Sequence, residues 1–343
     1  MKIRNRGKIT ICLVILTVVI LLVTLVELAW AETPIPYNRV IDCILGHGDF
    51  YDNLLVRENA VRVVMALLVG AGLAACGCAM QAIFRNPLAS PYLLGLSSGA
   101  SLGAAVSILV AIPLIPLVVV TPLFAFIFCL LTMLIVYGVS KIGGHTNTET
   151  LILTGVAVSS MMTAFVSFLT YIAPDDKMGD IVFWSMGSLG SRTVFSESLM
   201  IIMVVAPIIL VGTFILVSYG KYMNAMMLGD HHAMDLGIDV AKVRLTLLVT
   251  TTLMVAAAVA FVGAIGFVGL IIPHIFRIIL GPDNRILIPM SAIGGATFLL
   301  TCDYLAHIIL PVGILPVGIL TAMVGAPYFI YLLRRRKHEV GWS

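Results

Sequence analysis

The chain has 343 residues, of which 60% are hydrophobic and only 11% are charged, and its mean hydropathy is +1.11. Soluble domains carry roughly a quarter charged residues, so this composition excludes an ordinary soluble domain. The net charge of +3 is too small to indicate nucleic-acid binding. The apolar residues form continuous runs of about 20, the length of a membrane-spanning helix, without the alternation of membrane strands. The sequence therefore predicts an all-α, polytopic membrane protein with one domain over residues 1–343.

Ten apolar runs follow one another along the chain, and each predicts one transmembrane helix. The predicted spans are 9–30, 61–84, 92–112, 117–139, 151–172, 199–219, 245–264, 267–280, 287–309 and 312–333. The first run is longer than the apolar core of a signal peptide, which favours a span that is retained. The eighth run is short, which is typical of a broken or partly submerged helix.

The distribution of Lys and Arg predicts the orientation of the chain. With ten crossings, the segments on the side of the N-terminus hold 14 Lys and Arg residues, and the segments on the other side hold 5. The positive-inside rule then places both termini in the cytoplasm. The loops 33–60 and 173–198 are predicted to be external, and the loop 220–243 is predicted to be cytoplasmic.

The cytoplasmic loop 220–243 contains the sequence LGDHHAMDLGID, which predicts one or two short amphipathic helices. Such helices at a membrane surface bind either lipid or a partner protein. The three aspartates of this sequence argue against an anionic lipid surface, which is bound by basic faces. Docking of a partner protein is therefore the favoured interpretation.

The stretch 261–285, FVGAIGFVGLIIPHIFRIILGPDNR, is apolar but unlike a plain lipid-facing helix. It holds glycines at every third position, a proline that interrupts the following run, and two ionisable residues at membrane depth: Gly263, Gly266, Gly269, Pro273, His274 and Arg277. Ionisable residues inside a membrane indicate a functional site, and broken backbone is tolerated there only beside protein or a cavity. This pattern favours the working part of a transport protein, and a tightly packed helix pair is the alternative.

A second unusual stretch begins at Gln81 and reads QAIFRNPLASPYLLGLSSGASLGAA. Its prolines prevent one continuous helix, so the segment Arg85-Asn86-Pro87 is predicted to be a turn. Glycines then recur at every fourth position: Gly95, Gly99 and Gly103. This spacing predicts one small-residue face for close helix crossing, either along a translocation path or for packing alone.

Two further ionisable residues, Asp303 and His307, lie one helical turn apart in the ninth span. Asp303 is predicted to form an ion pair with Arg277, which would make both charges tolerable in a low dielectric. A proton relay through His274, Asp303 and His307 is the alternative interpretation.

The motifs that are missing limit the chemistry of the chain. The sequence contains no phosphate-binding loop of the type G-x-x-x-x-G-K-[ST], and neither an H-E-x-x-H nor a G-x-S-x-G motif. Cys76 and Cys78 have no second pair to complete a metal site, so they are interpreted as packing residues. The chain is therefore predicted to be no enzyme and to hold no metal or cofactor. If ATP hydrolysis drives it, the ATPase is another polypeptide that docks at 220–243.

Four motifs together resemble the FecCD family, the membrane permeases of ABC importers for iron-siderophores, haem and vitamin B12. They are GxxxQAIFRNPLASPYLLGLSSGASLGAA, LGDHHAMDLGIDVAKVR, GAIGFVGLIIPHIFRIILGPDNR and LPVGILTAMVGAPYFIYLLRR. The motifs follow the family's order and cover most of the chain from Arg62 onward. Their combination is far more specific than any one glycine motif.

The resemblance implies the type II importer fold, a ten-helix permease in the cytoplasmic (inner) membrane of a prokaryote. Such a permease works as a homodimer or beside a homologue, with the translocation path between the two copies. Two ATPase subunits, which bind the ATP and Mg²⁺, and an external substrate-binding protein complete the importer. The ATPase-coupling residues implied here are Leu228, Gly229, Asp230, Ala233, Leu236 and Gly237.

The chain departs from the family where the binding protein docks. The family has R-L-P-R before the second span, whereas residues 59–62 read Asn-Ala-Val-Arg, so that only Arg62 remains and Arg57 is a nearby substitute. His307 replaces an outward arginine of the family. These three residues are the predicted docking residues.

Two questions stay open at the level of sequence. Members of the family carry siderophores, haem, corrinoids and some oxyanions, and the residues do not select one of them. The alternative function is a stand-alone secondary transporter coupled to protons through His274, Asp303 and His307. Met161 and Met162 in the fifth span are interpreted as packing residues, and lining of a path is the alternative.

Overall fold

The structure is a computed structural model that describes residues 2–29, 35–110, 116–142, 145–146, 148–189, 195–310 and 313–339. Its helices are α1 (Lys2–Ala29), α2 (Tyr37–Ile44), α3 (Phe50–Ile83), α4 (Leu96–Val110), α5 (Leu117–Ser140), α6 (Thr148–Ile172), α7 (Asp175–Met186), α8 (Phe195–Ser218), α9 (Gly220–Met227), α10 (Asp230–Asp235), α11 (Val240–Val262), α12 (Val268–Leu280), α13 (Asn284–Ile309) and α14 (Val317–Glu339). A 3-10 helix (Pro91–Leu94) precedes α4. Two strands of two residues each, β1 (Lys141–Ile142) and β2 (His145–Thr146), pair in antiparallel register after α5.

The ten predicted spans correspond to ten helices, so the all-α membrane fold is confirmed. Seven helices in the described part of the chain are long and apolar enough to cross a membrane: α1, α3, α5, α6, α8, α11 and α13. Three shorter apolar helices, α4, α12 and α14, match the remaining runs. The predicted span ends at 30, 112 and 312 lie outside the described residues. Helix α3 begins at Phe50, well before the predicted start at residue 61. Its first turns therefore lie in the predicted loop 33–60.

The helices form an inner group and an outer group. Most of each span of α3, α11 and α13 is buried inside the protein, whereas α1, α6 and α8 expose most of theirs. The most extensive contact joins α3 to α13, which cross at Gly70 and Gly295, where a methyl group on either glycine would overlap the backbone of the other. Small residues that let two backbones touch are the usual means of helix association in membranes, since lipid supplies no hydrophobic force between helices.

The glycine repeat after the 3-10 helix serves two different purposes. Gly99 and Gly103 face α5, where a methyl group would overlap Thr132 and the carbonyl of Phe124. This close packing of α4 on α5 is the predicted one. Gly95 is not part of that face, because it lies before α4 in a left-handed conformation with φ of 72°.

The predicted break in the stretch 261–285 is real, and it lies at 263–267. Helix α11 ends at Val262, Gly263 has a φ of 71°, and Phe267 adopts a left-handed conformation with φ of 67° before α12 begins. Gly266 lies within this irregular segment. The positive φ of Gly263 suits glycine, whereas a positive φ at Phe267 is strained for a bulky side chain.

The prediction that Pro273 interrupts the run is wrong, because α12 continues through it. A proline in a helix leaves the carbonyl four residues earlier without its hydrogen bond and pushes it outward. Here that carbonyl belongs to Gly269, which lies directly against Gly77 of α3, where any side chain would overlap it. The next carbonyl, of Leu270, accepts a hydrogen bond of 3.2 Å from Gln81. Helix α3 thus accommodates the backbone that the proline displaces.

The two ends of the bundle carry different elements. Helices α9 and α10 lie at one end, beside the end of α12 and the start of α13, and Lys8 near the start of α1 donates to the carbonyl of Ile279 there. We call this the α9–α10 end. At the opposite end, Asn59 of α3 donates to the carbonyl of Leu28 at the close of α1.

The contact between Gly77 and Gly269 yields a prediction about stability. The variant Gly77→Ala should lower the free energy of unfolding by about 1–3 kcal/mol, since the added methyl group overpacks the contact between α3 and α12. Gly138→Ala is the matched control, because Gly138 of α5 has open space around it. Thermal unfolding of the purified protein in detergent measures both, and an equal effect of the two variants would contradict the close contact.

Candidate functional site

The candidate site is the surface formed by α9, α10 and the turns around them. Leu228 is 72% exposed and Leu236 is 69% exposed, and Met234 between them is half exposed. Ala233 on the other side of α10 is fully buried. The predicted amphipathic character of this loop is confirmed. Its exposed apolar residues form a face that is surrounded by aspartates, which argues against contact with lipid.

Helix α10 is held on the bundle in a fixed position. Asp230 accepts a hydrogen bond of 2.8 Å from Arg244 of α11, whose side chain is buried. Gly229 and Gly237 flank the helix with φ of 125° and 79°, conformations in which other residues are strained. The two glycines and the ion pair therefore fix the direction in which the exposed leucines point.

A polar network joins α9 to the start of α13. Asn224 of α9 donates to Asp283 at 2.7 Å and accepts from the backbone N–H and the side chain of Asn284. Asp283 also accepts from Arg285, whose Nη2 lies at 2.5 Å. The hydrogen bond from Arg285, supported by that from Asn224, lowers the pKa of Asp283 to about 2. This carboxylate therefore stays charged at any physiological pH and keeps the network intact.

A second contact extends from α9 into the membrane-spanning part. Arg277 of α12 donates to Gln81 of α3 at 3.1 Å, and its guanidinium lies 3.5 Å from the sulfur of Met227 in α9. Gln81 in turn donates to Leu270, as described above. The structure thus brings together two predicted residues, Gln81 and Arg277, and connects them to the last turn of α9.

The predicted turn Arg85-Asn86-Pro87 is confirmed. Arg85 is exposed with a φ of 48°, and the side chain of Asn86 accepts from the backbone N–H of Leu88 at 3.0 Å. The turn lies at the α9–α10 end, because the guanidinium of Arg85 approaches Gly229. It belongs to the surface around α10 rather than to a path through the bundle.

The predicted ion pair between Arg277 and Asp303 is wrong. Asp303 is fully buried and accepts two hydrogen bonds from Arg62, at 2.6 Å from Nε and 2.9 Å from Nη2. Arg62 and Gln81, the partner of Arg277, are 19 residues apart on α3, which is about 28 Å along a helix axis. Arg277 and Asp303 therefore lie toward opposite ends of the bundle, which their positions within the predicted spans did not show.

A similar distance separates His274 from the other two residues of the predicted proton relay, Asp303 and His307. His274 is buried in α12 between the two residues of that helix that bond Gln81. His307 lies beside Asp303, and its Nδ1 is 2.8 Å from the carbonyl of Asp303. Contact between His274 and the other two residues is thus excluded, and the relay is not contiguous.

The predicted docking residues differ in exposure. The Arg62 side chain is 12% exposed and engaged with Asp303, so it is a poor candidate for contact with another protein. Arg57 is exposed, and His307 is half-buried. Docking at Arg57 and His307 stays a prediction.

Helix α6 presents a face unlike the other outer helices. It exposes Ser160, Thr163 and Ser167, each of which donates to the carbonyl four residues earlier. Met161 is 44% exposed on the same helix, whereas Met162 is buried. The packing interpretation therefore holds for Met162 only. A cavity of about 540 Å³ opens between α6 and α7, lined by Val166, Ser167, Thr170, Tyr171, Met178, Ile181, Val182, Ser185 and Met186.

Several residues of these networks carry no motif and were missed by the sequence analysis. They are Glu27, Asn224, Met227 and Asn284. The Asp283-Asn284 pair directly before an apolar run is an N-cap signal that could have been used. Glu27 is an acid inside the first predicted span, which is the same signal that was used for His274 and Arg277. No local signal marks Met227 as a partner of a distant residue.

The comparisons with known proteins agree on one class, the membrane permeases of ABC transport systems. The chain is 41% identical to the cobalamin import system permease protein BtuC of Halobacterium salinarum, over 80% of this chain and 72% of the relative. It is 39% identical to the hemin transport system permease protein HmuU of Yersinia pestis, over 81% of this chain and 82% of the relative. A solved structure described as an inward-facing metal-chelate type ABC transporter matches with a TM-score of 0.80 and 29% identity, over 95% of this chain and 99% of that one.

The fold and these relatives define the chain as a multi-pass membrane transport permease rather than an enzyme. The model of the FecCD transport family matches residues 16–335, and the chain belongs to that family. The resemblance found in the four sequence motifs is thereby confirmed.

The pair of Arg62 and Asp303 yields a second prediction. The variant Arg62→Met leaves a buried carboxylate without its guanidinium and should cost about 3–5 kcal/mol of the free energy of unfolding. The double variant Arg62→Met/Asp303→Leu should recover most of that loss, because it removes both charges. Thermal unfolding in detergent measures each variant.

The matched control is Arg39→Met, which breaks an ion pair with Asp52 whose arginine is largely exposed. Such exposed pairs contribute about 0–1 kcal/mol. A loss in Arg62→Met no larger than in Arg39→Met would contradict a structural role for the buried pair.

Proposed function

We propose that the chain is the permease subunit of an ABC importer for a metal-chelate type substrate, such as an iron-siderophore, haem or a corrinoid. The names of its relatives support this substrate class. The observation that carries the proposal is the rigidly held, exposed apolar face of α10. An isolated carrier has no use for such a face, whereas a subunit driven by another protein needs one.

In this proposal the ATPase binds the α9–α10 end, which lies in the cytoplasm together with both termini. The excess of Lys and Arg on that side supports the orientation in an inner membrane. ATP and Mg²⁺ belong to the ATPase, and its movement reaches α10 through Leu228 and Leu236. The contacts of α9 with Arg277 and Asn284 transmit the movement to α12 and α13, which open the path alternately to either side.

Two copies of the chain form the translocation path between them, and α6 lines it. Serine and threonine are enriched where membrane helices pack against each other, so the exposed hydroxyls of α6 suit a helix interface. Apart from Ser218 at its end, the exposed side chains of α8, among them Met203, Leu210 and Phe214, are apolar and suit lipid. A binding protein delivers the substrate at the opposite end, near Arg57 and His307.

A stand-alone proton-coupled carrier is the second candidate. Coupling to protons requires titratable groups in contact or joined by water along the path. His274 lies far from Asp303 and His307, and the apolar face of α10 has no role in such a carrier. The importer subunit is therefore the better explanation.

Copurification tests the proposed partner. An affinity-tagged chain purified gently from native membranes should bring down an ABC ATPase in about equal amount. The variant Leu236→Asp should abolish this copurification and substrate-stimulated ATP hydrolysis, since a charge on the docking face cannot be desolvated without a partner.

The control variant is Leu45→Asp, which places the same charge on an exposed leucine at the opposite end. It should leave the ATPase bound. Equal copurification with both variants, or recovery of the chain alone after crosslinking, would refute docking at α10 and favour the secondary carrier.

Crosslinking tests the proposed pairing of two copies along α6. Ser160→Cys, in a background with the half-buried Cys12 and Cys43 replaced by serine, should form a disulfide dimer under mild oxidation. Disulfides require Cα atoms within about 7 Å, so a bond reports direct apposition. Phe214→Cys on the lipid-facing α8 should stay monomeric, and the reverse outcome would assign the interface to α8.

A further inference from the structure

Glu27 is a buried acid for which the transport mechanism gives no role. It lies on α1, a helix that otherwise exposes most of its side chains, yet Glu27 itself is only 2% exposed. Oxygens of Glu27 and Asp303 and a ring nitrogen of His307 all lie within 4.8 Å of one another. Within the described residues, neither oxygen of Glu27 has a hydrogen-bonding partner at normal geometry.

With a neutral His307, the charges around Glu27 do not balance if both acids are ionised. Arg62 donates to both oxygens of Asp303, and together these two groups are neutral. An ionised Glu27 would add a second carboxylate beside Asp303 with no donor of its own. A buried carboxylate in that position costs so much that the group takes up a proton instead.

We propose that Glu27 and Asp303 form a buried proton-binding site, in which Glu27 carries the proton and directs it toward Asp303. The protonated carboxyl then supplies the donor that the ionised form lacks. It also attaches the end of α1 to α13 through a neutral group, which low dielectric favours.

A divalent metal ion is a poorer occupant of the same site. Glu, Asp and His are common metal ligands, but both oxygens of Asp303 already accept from Arg62. A divalent ion bound there would lie beside a guanidinium and raise the net charge from −1 to +1, whereas a proton brings it to zero. The charge count therefore favours the proton.

Two arginines of the elements packed against α1 are engaged elsewhere. Arg277 of α12 contacts Gln81 at the far level of the bundle. Arg39 of α2 pairs with Asp52 at 3.5 Å. The groups that face Glu27 are Arg62 from α3 and Asp303 and His307 from α13. Because the neutral acid is the form that fits the fold, its contribution to stability is complete only below the pKa of a free glutamate and decreases progressively as the pH rises above it.

The test uses Glu27→Gln, which keeps the shape and neutrality of the protonated acid. In acidic buffer at about pH 4, where a free glutamate is also protonated, the variant should melt at the same temperature as the wild type. At neutral pH the variant should melt at a higher temperature, because only the wild type must take up a proton to fold. When the buffer is made alkaline, the melting temperature of the wild type should fall further than that of the variant. Glu58→Gln replaces an exposed glutamate of α3 and should behave as the wild type at every pH.

Infrared spectroscopy of the full-length protein reports the proton directly. At neutral pH the wild type and Glu58→Gln should show a protonated carboxyl band that Glu27→Gln lacks, and alkaline buffer should remove this band from the wild type. If Glu27→Gln does not fold, the wild-type band and its loss at high pH decide the question alone.

Three results would overturn the proposal. The first is a wild type without a protonated carboxyl band at neutral pH. The second is a large loss of stability in Glu27→Gln at neutral pH, which would mean that the ionised acid holds the fold. The third is a stoichiometric metal ion in the purified protein, with a melting temperature that a chelator lowers in the wild type but not in Glu27→Gln.

Discussion

Direct contact between helix backbones along α3 is the constraint on which the rest of the bundle depends. Gly70 meets α13 and Gly77 meets α12, and neither crossing leaves room for a side chain. In a membrane these contacts must supply through packing what the hydrophobic effect supplies in water. Because α12 lies so close to α3, Gln81 reaches the carbonyl of Leu270, next to the Gly269 carbonyl that Pro273 leaves without an N–H partner in its helix. Helix α12 therefore tolerates this proline only because the neighbouring helix has a glycine at the contact.

The polar groups are distributed over two separate levels of this apolar frame. At the α9–α10 end, asparagine, arginine and glutamine side chains join short surface helices to long buried ones, so that displacement of α9 is transmitted to α12 and α13. At the opposite end, Arg62, Asp303 and Glu27 bring three helices together in a compact cluster of ionisable groups. Between the two levels α3 buries mostly small and apolar residues. The first level suits transmission of movement, and the second suits attachment of α1.

The sequence predicted the features that depend on local patterns. Apolar runs gave the ten helices, the turn at Asn86 followed from its proline, and alternating leucines and aspartates indicated the exposed face of α10. The predictions that were wrong concern contacts between residues that are far apart in the chain. Arg277 and Asp303 have complementary charges and similar depth in their spans, yet each has a nearer partner on α3, and only the packing of three helices decides this. Pro273 was expected to interrupt its apolar run, because no local pattern connects it with Gly77, nearly 200 residues earlier in the chain.

The glycines of the irregular segment 263–267 suggest a hinge in the sequence, but hydrogen bonds in the structure make this segment rigid. The carbonyl of Ile265 accepts from Tyr92, and the carbonyl of Val262 accepts from the backbone of Ser188 at 2.8 Å. Gly318 at the start of α14 donates to Gly187 beside it. The segment is thus braced by the 3-10 helix, by the residues after α7 and by α14. A rotation of α12 would carry these neighbours with it as one rigid body, so the flexible joints of the bundle lie outside the break.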